Sequence, residues 1–115
     1  PEENLRSTLA LAGEPCTGEQ VQSALQAIGL GPHRHLRGRA LSQGMRGRAA
    51  LARFWITRRR LWILDEPLAG LDAAATQAVV DRLGAHLKDG GLAVLSCHTD
   101  TWTRTGLPLQ RLRWD

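Results

Sequence analysis

The sequence predicts an α/β fold: parallel β-strands flanked by helices, with an α-helical subdomain ahead of them. Three observations carry that prediction. Leu61-Trp62-Ile63-Leu64 and Leu92-Ala93-Val94-Leu95-Ser96-Cys97 are short apolar runs without alternation, the pattern of parallel strands buried on both faces. Between them Val79, Val80, Leu83 and Leu87 recur at helical spacing, so strand, helix and strand form a βαβ unit and hence a parallel sheet. Ahead of them, residues 2–29 read as a helical hairpin with one apolar face.

The elements follow in order. Leu5, Leu9 and Ala12 share a helix face, Glu2 and Glu3 favour its first turn, and Gly13 ends it. Thr17 and Gln20 have capping-box spacing and open a second helix along Val21, Ala24, Leu25 and Ile28, closed by Gly29. Residues 29–40, rich in Gly, Pro, His and Arg, read as a loop. A third helix is predicted over about 42–57, with Leu51, Ala52 and Trp55 on one face and Arg58, Arg59 and Arg60 suiting its carboxyl end. The first strand stops at Asp65-Glu66-Pro67, the next helix spans 73–88 and breaks at Gly90-Gly91, and 109–114 is read as a last strand. Residues 1–40 are assigned to the helical subdomain and 41–115 to the remainder.

Composition narrows the function. In 115 residues, 43% hydrophobic and 23% charged, the balance is that of a globular chain rather than a disordered one. The net charge is +4, and every one of the 15 cations except Lys88 is Arg. Many cluster at 33–48 and 58–60, where Arg attracts phosphates, acidic proteins or anionic headgroups. Little aromatic interleaving and no nucleic-acid motif accompany them, so they read as a solvated surface and no nucleic-acid partner is expected. His33 and His35 have no nearby carboxylate or Cys to complete a metal site. Cys16 and Cys97 lie far apart without CxxC spacing, which points to neither a zinc site nor a disulfide framework and suits a reducing compartment. No signal peptide and no apolar run of bilayer length occur, so a membrane role is expected to come through a partner. The chain starts at Pro1, already inside a helical pattern, and is expected to be a fragment.

The chemistry concentrates where the first strand ends. Four apolar residues deliver Asp65 and Glu66 at the carboxyl edge of a parallel sheet, where such sheets bind ligands. One carboxylate there can hold Mg²⁺, directly or through water, and the next can orient or deprotonate an attacking water. Pro67, lacking an N–H, stops the strand behind them. Leu41-Ser42-Gln43-Gly44-Met45 opens the preceding helix, where Ser42 and Gly44 can form an anion site at free N–H groups, or Ser42 is simply an N-cap. Gly70-Leu71-Asp72 follows the acidic pair, and Asp72 is equally the N-cap of the next helix. His98 directly follows the second strand, at the same sheet edge.

Four elements in this order resemble the ABC ATPase family of P-loop NTPases. In that reading 41–45 is the signature motif, 61–66 the Walker B strand, 70–72 the D-loop and His98 the switch histidine; Ala49-Ala50-Leu51-Ala52-Arg53 also matches the helix after the signature. Within that family, Leu51-Ala52-Arg53-Phe54-Trp55-Ile56-Thr57, Trp62 and Glu3-Asn4-Leu5 are similar to the ATPases of cytochrome c maturation (Ccm) haem exporters. The resemblance implies ATP and Mg²⁺ as cofactors and a head-to-tail pair with a second ATPase subunit. Ser42 and Gly44 would then face the partner's γ-phosphate, Asp65 would support Mg²⁺, most simply through water, Glu66 would be the general base and His98 would stabilise the γ-phosphate. Asp72 would link the two sites. It further implies integral membrane permease subunits as partners and a peripheral position on the cytoplasmic face of a bacterial inner membrane.

Two departures stand beside it. Gln43 and Met45 replace Gly and Gln of the usual Leu-Ser-Gly-Gly-Gln signature, and no G-x-x-x-x-G-K-[ST] loop occurs in the chain. The chain alone is therefore expected to be inactive. An ATPase subunit of another bacterial ABC transporter, or a non-catalytic remnant acting as a binding module, remain the alternative readings.

Overall fold

The computed structural model describes residues 2–33, 43–97, 102, 105–108 and 110. Two helices open the chain, α1 (Glu2–Leu11) and α2 (Gly18–Ala27), and they form the predicted hairpin. The capping box is present: Gln20 N–H donates to Thr17 Oγ1 at 3.1 Å and Thr17 N–H donates to Gln20 Oε1 at 2.8 Å. Two otherwise orphaned amides are thereby satisfied. At the far end of α2, Leu30 N–H reaches Leu25 O at 2.7 Å and Gly29 N–H reaches Gln26 O at 3.0 Å. Gly29 makes that turn at φ +82, a left-handed conformation that a residue without Cβ adopts at no steric cost. The turn drops Leu30 into a core built from Leu5, Leu9, Val21, Leu25 and Ile28.

A short helix, α3 (Gln43–Leu51), leads to the sheet. Among the described residues the sheet has two parallel strands, β1 (Leu61–Asp65) and β2 (Leu92–Ser96), connected by α4 (Ala73–Lys88). The register sets Leu61 opposite Leu92 and Asp65 opposite Ser96. α4 ties the two halves together. Its Ala75 and Val79 join the hairpin core, whereas Leu83 packs with Phe54, Trp62, Leu64 and Trp102 in a second cluster.

The third helix is shorter than its pattern predicts. After Leu51 the chain tightens into a 3₁₀ turn over Ala52–Trp55, and Ile56 and Thr57 N–H both converge on Arg53 O. The tighter winding turns both Ala52 and Phe54 inward. Arg58, Arg59 and Arg60 consequently do not complement an α-helix of their own. Instead Arg59 Nη2 donates to Ala12 O at 2.6 Å, just beyond α1, and Arg60 Nη2 donates to Gly90 O at 2.8 Å, just beyond α4. The arginines serve the carboxyl ends of two other helices.

The strands also depart from expectation. Each was expected to be apolar and buried on both faces, but β1 buries Trp62 and Leu64 while Leu61 and Ile63 stay 52% and 68% exposed. Leu92 and Val94 on β2 are 65% and 60% exposed. The physical reason is that α4 covers one face of the sheet, and no described residue layers the other. The expected strand at 109–114 lies outside the described residues but for residue 110, as does most of the basic stretch at 33–48. Cys16 is half-buried and Cys97 exposed, and both are free thiols.

Opposite the acidic end, the sheet is closed by His86. Its ring is buried, stacked on Trp62 at 3.6 Å with the planes 6° apart. His86 Nε2 lies 2.9 Å from Arg60 O and 3.2 Å from Leu92 O. Both partners only accept, so Nε2 carries the proton. Among the described residues, no helix is long and apolar enough to cross a membrane.

Candidate functional site at the carboxyl end of the first strand

β1 ends in exposed Asp65, followed by half-buried Glu66 and buried Pro67. Alternation along the strand decides this: Trp62 and Leu64 turn toward α4, so Asp65 lies on the other face, at the sheet's rim. The register places Ser96, the last residue of β2, directly across from Asp65. The Ser96 hydroxyl donates to Asp65 Oδ1. Glu66 N–H donates to Ser96 Oγ at 3.0 Å and to Ser96 O at 3.1 Å.

Glu66 holds φ +43, the one non-glycine residue with positive φ among those described. A left-handed conformation costs a residue bearing a Cβ about 1–2 kcal/mol. It is unusual before proline, whose ring steers the preceding residue toward extended backbone. Such strain persists where surrounding bonds over-determine it, and it concentrates at functional sites. Here the bonds from Glu66 N–H to Ser96, and from Ala69 N–H to Glu66 O at 3.0 Å, hold the turn.

The chain then reaches Gly70, at φ +71, and Asp72. Asp72 Oδ1 accepts Ala75 N–H at 2.7 Å, so its carboxylate caps α4. Gly44 is the second residue of α3. Met45, one of the two departures in the signature stretch, is half-buried and packs against the hairpin core. A thioether suits that apolar contact where an amide would need a partner. Ser42 and His98 lie outside the described residues.

Asp65 and Glu66 are thus brought together with a third residue that sequence reasoning missed. Ser96 has a signal only in retrospect: a polar residue closing an apolar run. Its partner is set by strand register, which the sequence does not state. Among the described residues, no group of three or more His, Cys, Asp or Glu could hold a metal. A zinc-type cage is therefore absent from that set. Mg²⁺ has other needs, being held by one or two carboxylates together with phosphate oxygens and water, and the hard, exposed oxygens of Asp65 suit it.

Residues 2–69 match the ABC transporter family. The cytochrome c biogenesis ATP-binding export protein CcmA of Pseudomonas aeruginosa is 46% identical over 103 residues, covering 90% of this chain and 51% of that protein. CcmA 1 of Cupriavidus metallidurans is also 46% identical, over 90% of this chain and 50% of its own length. CcmA of Cupriavidus necator is 49% identical over 98 residues, 85% of this chain and 43% of its own. The chain therefore spans about half the length of the curated relatives it matches. The family match runs from the helical hairpin through the strained acidic turn that ends β1, and on that ground the chain belongs to the ABC transporter family.

Proposed function

We propose that this chain forms the signature and Walker B portion of an ATP-hydrolysing subunit of an ABC exporter serving cytochrome c biogenesis, with haem as the exported group. The observation that carries the reading is the acidic pair at the rim of β1, with Glu66 held in a left-handed turn. The similarity to the three CcmA proteins, named as ATP-binding export proteins, supports the choice of exporter.

In this reading Asp65 would hold the nucleotide's Mg²⁺, most simply through water, and the ion would supply neutralisation of the phosphate charge. Glu66 orients the attacking water and takes its proton. His98 contacts the γ-phosphate. Ser42 and Gly44 present the amino end of α3 to the nucleotide of a second, head-to-tail ATPase subunit. Asp72, already the cap of α4, joins the two sites across that pair. ATP's phosphates need a glycine-rich cradle that no stretch of these 115 residues supplies, so in the full-length protein other residues would supply it. Integral membrane permease subunits would hold the assembly at the cytoplasmic face of a bacterial inner membrane, and no nucleic acid takes part.

Glu66→Gln tests the reading in the full-length protein. ATP turnover is expected to fall by about 10²–10⁴-fold, the usual share of a positioned base, with nucleotide binding retained. Turnover equal to the parent would overturn the assignment. Loss of c-type cytochromes in cells carrying the variant, seen by haem staining, tests the exporter; unchanged cytochromes with abolished turnover would move the subunit to another ABC transporter.

A further inference from the structure

We infer that Ser96 is a positioning residue for ATP hydrolysis, joining the carboxylate of Asp65 to the backbone of Glu66 across the two strands. The inference rests on the roles proposed above for those two residues. A hydroxyl has one proton to give and two lone pairs to offer. In Ser96 the proton goes to Asp65 Oδ1, and Oγ receives the N–H of Glu66 at 3.0 Å. The Ser96 carbonyl receives that same N–H at 3.1 Å.

Each half of this arrangement has a consequence. Asp65 is exposed, and an exposed carboxylate rotates freely unless something holds it. The donated proton fixes its rotation while engaging one of its two oxygens. Glu66 sits in a strained left-handed turn, and its N–H is anchored twice to one residue. Removing the hydroxyl leaves the carbonyl anchor, so the turn survives but its orientation loosens. Ser96 itself is exposed at the end of β2, which makes its substitution a local change rather than a loss of core. A groups-behind-the-ligand role of this kind is usually worth about ten- to a hundredfold in metal affinity or activity.

The test uses the full-length ATPase with Ser96→Ala, Ser96→Thr and Glu66→Gln side by side. Two readouts are taken: turnover against Mg²⁺ concentration, and the affinity for a fluorescent ATP analogue with Mg²⁺ compared with EDTA. Ser96→Ala is expected to lower kcat about tenfold and to shrink the gain in nucleotide affinity given by Mg²⁺, with affinity in EDTA unchanged. Ser96→Thr keeps the hydroxyl and is expected to restore both. Unchanged kcat and Mg²⁺ response in Ser96→Ala would overturn the role, as would equal impairment of the Ala and Thr variants, which would mark a packing effect. Normal turnover in Glu66→Gln would remove the site, and the role of Ser96 with it; loss in Glu66→Gln beside a normal Ser96→Ala would remove the role of Ser96 alone.

Discussion

His86 does at the amino end of the sheet what Ser96 does at its carboxyl end: one side chain bridges both strands. Its neighbour explains why the chain turns through two glycines there. A Cβ on Gly91 would lie 2.2 Å from Cε1 and 2.3 Å from Nε2 of His86. The ring cannot retreat, because Trp62 stacks against its face at 3.6 Å. Gly91→Ala is therefore expected to destabilise the protein by about 1–3 kcal/mol, the usual range for overpacking, measured by urea unfolding. Adding Gly91→Ala to a His86→Ala protein is expected to cost much less, since the clash is gone; full additivity of the two would show that the contact is not the cause.

At the scale of elements, the hairpin and the sheet meet through Glu14, in the turn between α1 and α2. The Thr57 hydroxyl lies 2.8 and 2.9 Å from its two carboxylate oxygens, and Arg58 N–H donates to it at 2.9 Å. Arg59 Nε stands 3.7 Å away. Partial burial raises the pKa of Glu14, but the bonds from Arg58 N–H and Thr57 and the charges of Arg59 and Arg58 outweigh it, so the carboxyl is held below its ordinary value of 4.5. A lowered native pKa means the unfolded chain binds the proton more readily. The stabilisation is thus complete above the ordinary value and disappears as pH falls through the native one. Wild type is expected to be more stable than Glu14→Gln at neutral pH, the gap closing as pH falls below the ordinary value of 4.5 and through the lowered native one. A gap independent of pH would assign the effect to shape rather than charge.

These two cases also mark what the sequence could reveal. Helix starts and stops were legible, because the Thr17–Gln20 box, Gly29 and Asp72 act within a few residues of themselves. The strands were legible as apolar runs, and Asp65 and Glu66 as their chemical end. Glu14 bonds to residues 43 and 44 positions away, Ser96 to a carboxylate 31 positions away, and Arg60 to Gly90 across 30. Such partners depend on which elements become neighbours, and no local pattern encodes that. The third helix failed for a related reason: burying Ala52 and Phe54 against two different clusters favoured tighter winding than its own periodicity suggested.

At the scale of the whole molecule, one sheet face is left without a covering layer among the described residues. Leu61, Ile63, Leu92 and Val94 form an apolar row on paired strands, and soluble monomers seldom leave such rows bare. The isolated 115-residue chain is expected to self-associate and to bind a hydrophobic dye. Ile63→Lys with Val94→Glu, an opposed pair in the register, is expected to reduce both while helical circular dichroism is retained. Unfolding of that variant would show the face to be packed in solution.

The parallel ladder finally acts as a gauge. β1 and β2 run only from Leu61 to Asp65 and from Leu92 to Ser96, so a shift of one position would bring an apolar neighbour or Cys97 beside Asp65 and turn Trp62 or its counterpart to the wrong face. The alignment is set at the end gripped by His86 and read about 13 Å away, four steps at about 3.3 Å each, by Ser96. A correctly formed acidic centre is thus a report on correct assembly of the whole sheet, and damage at the histidine end would surface as lost chemistry at the other.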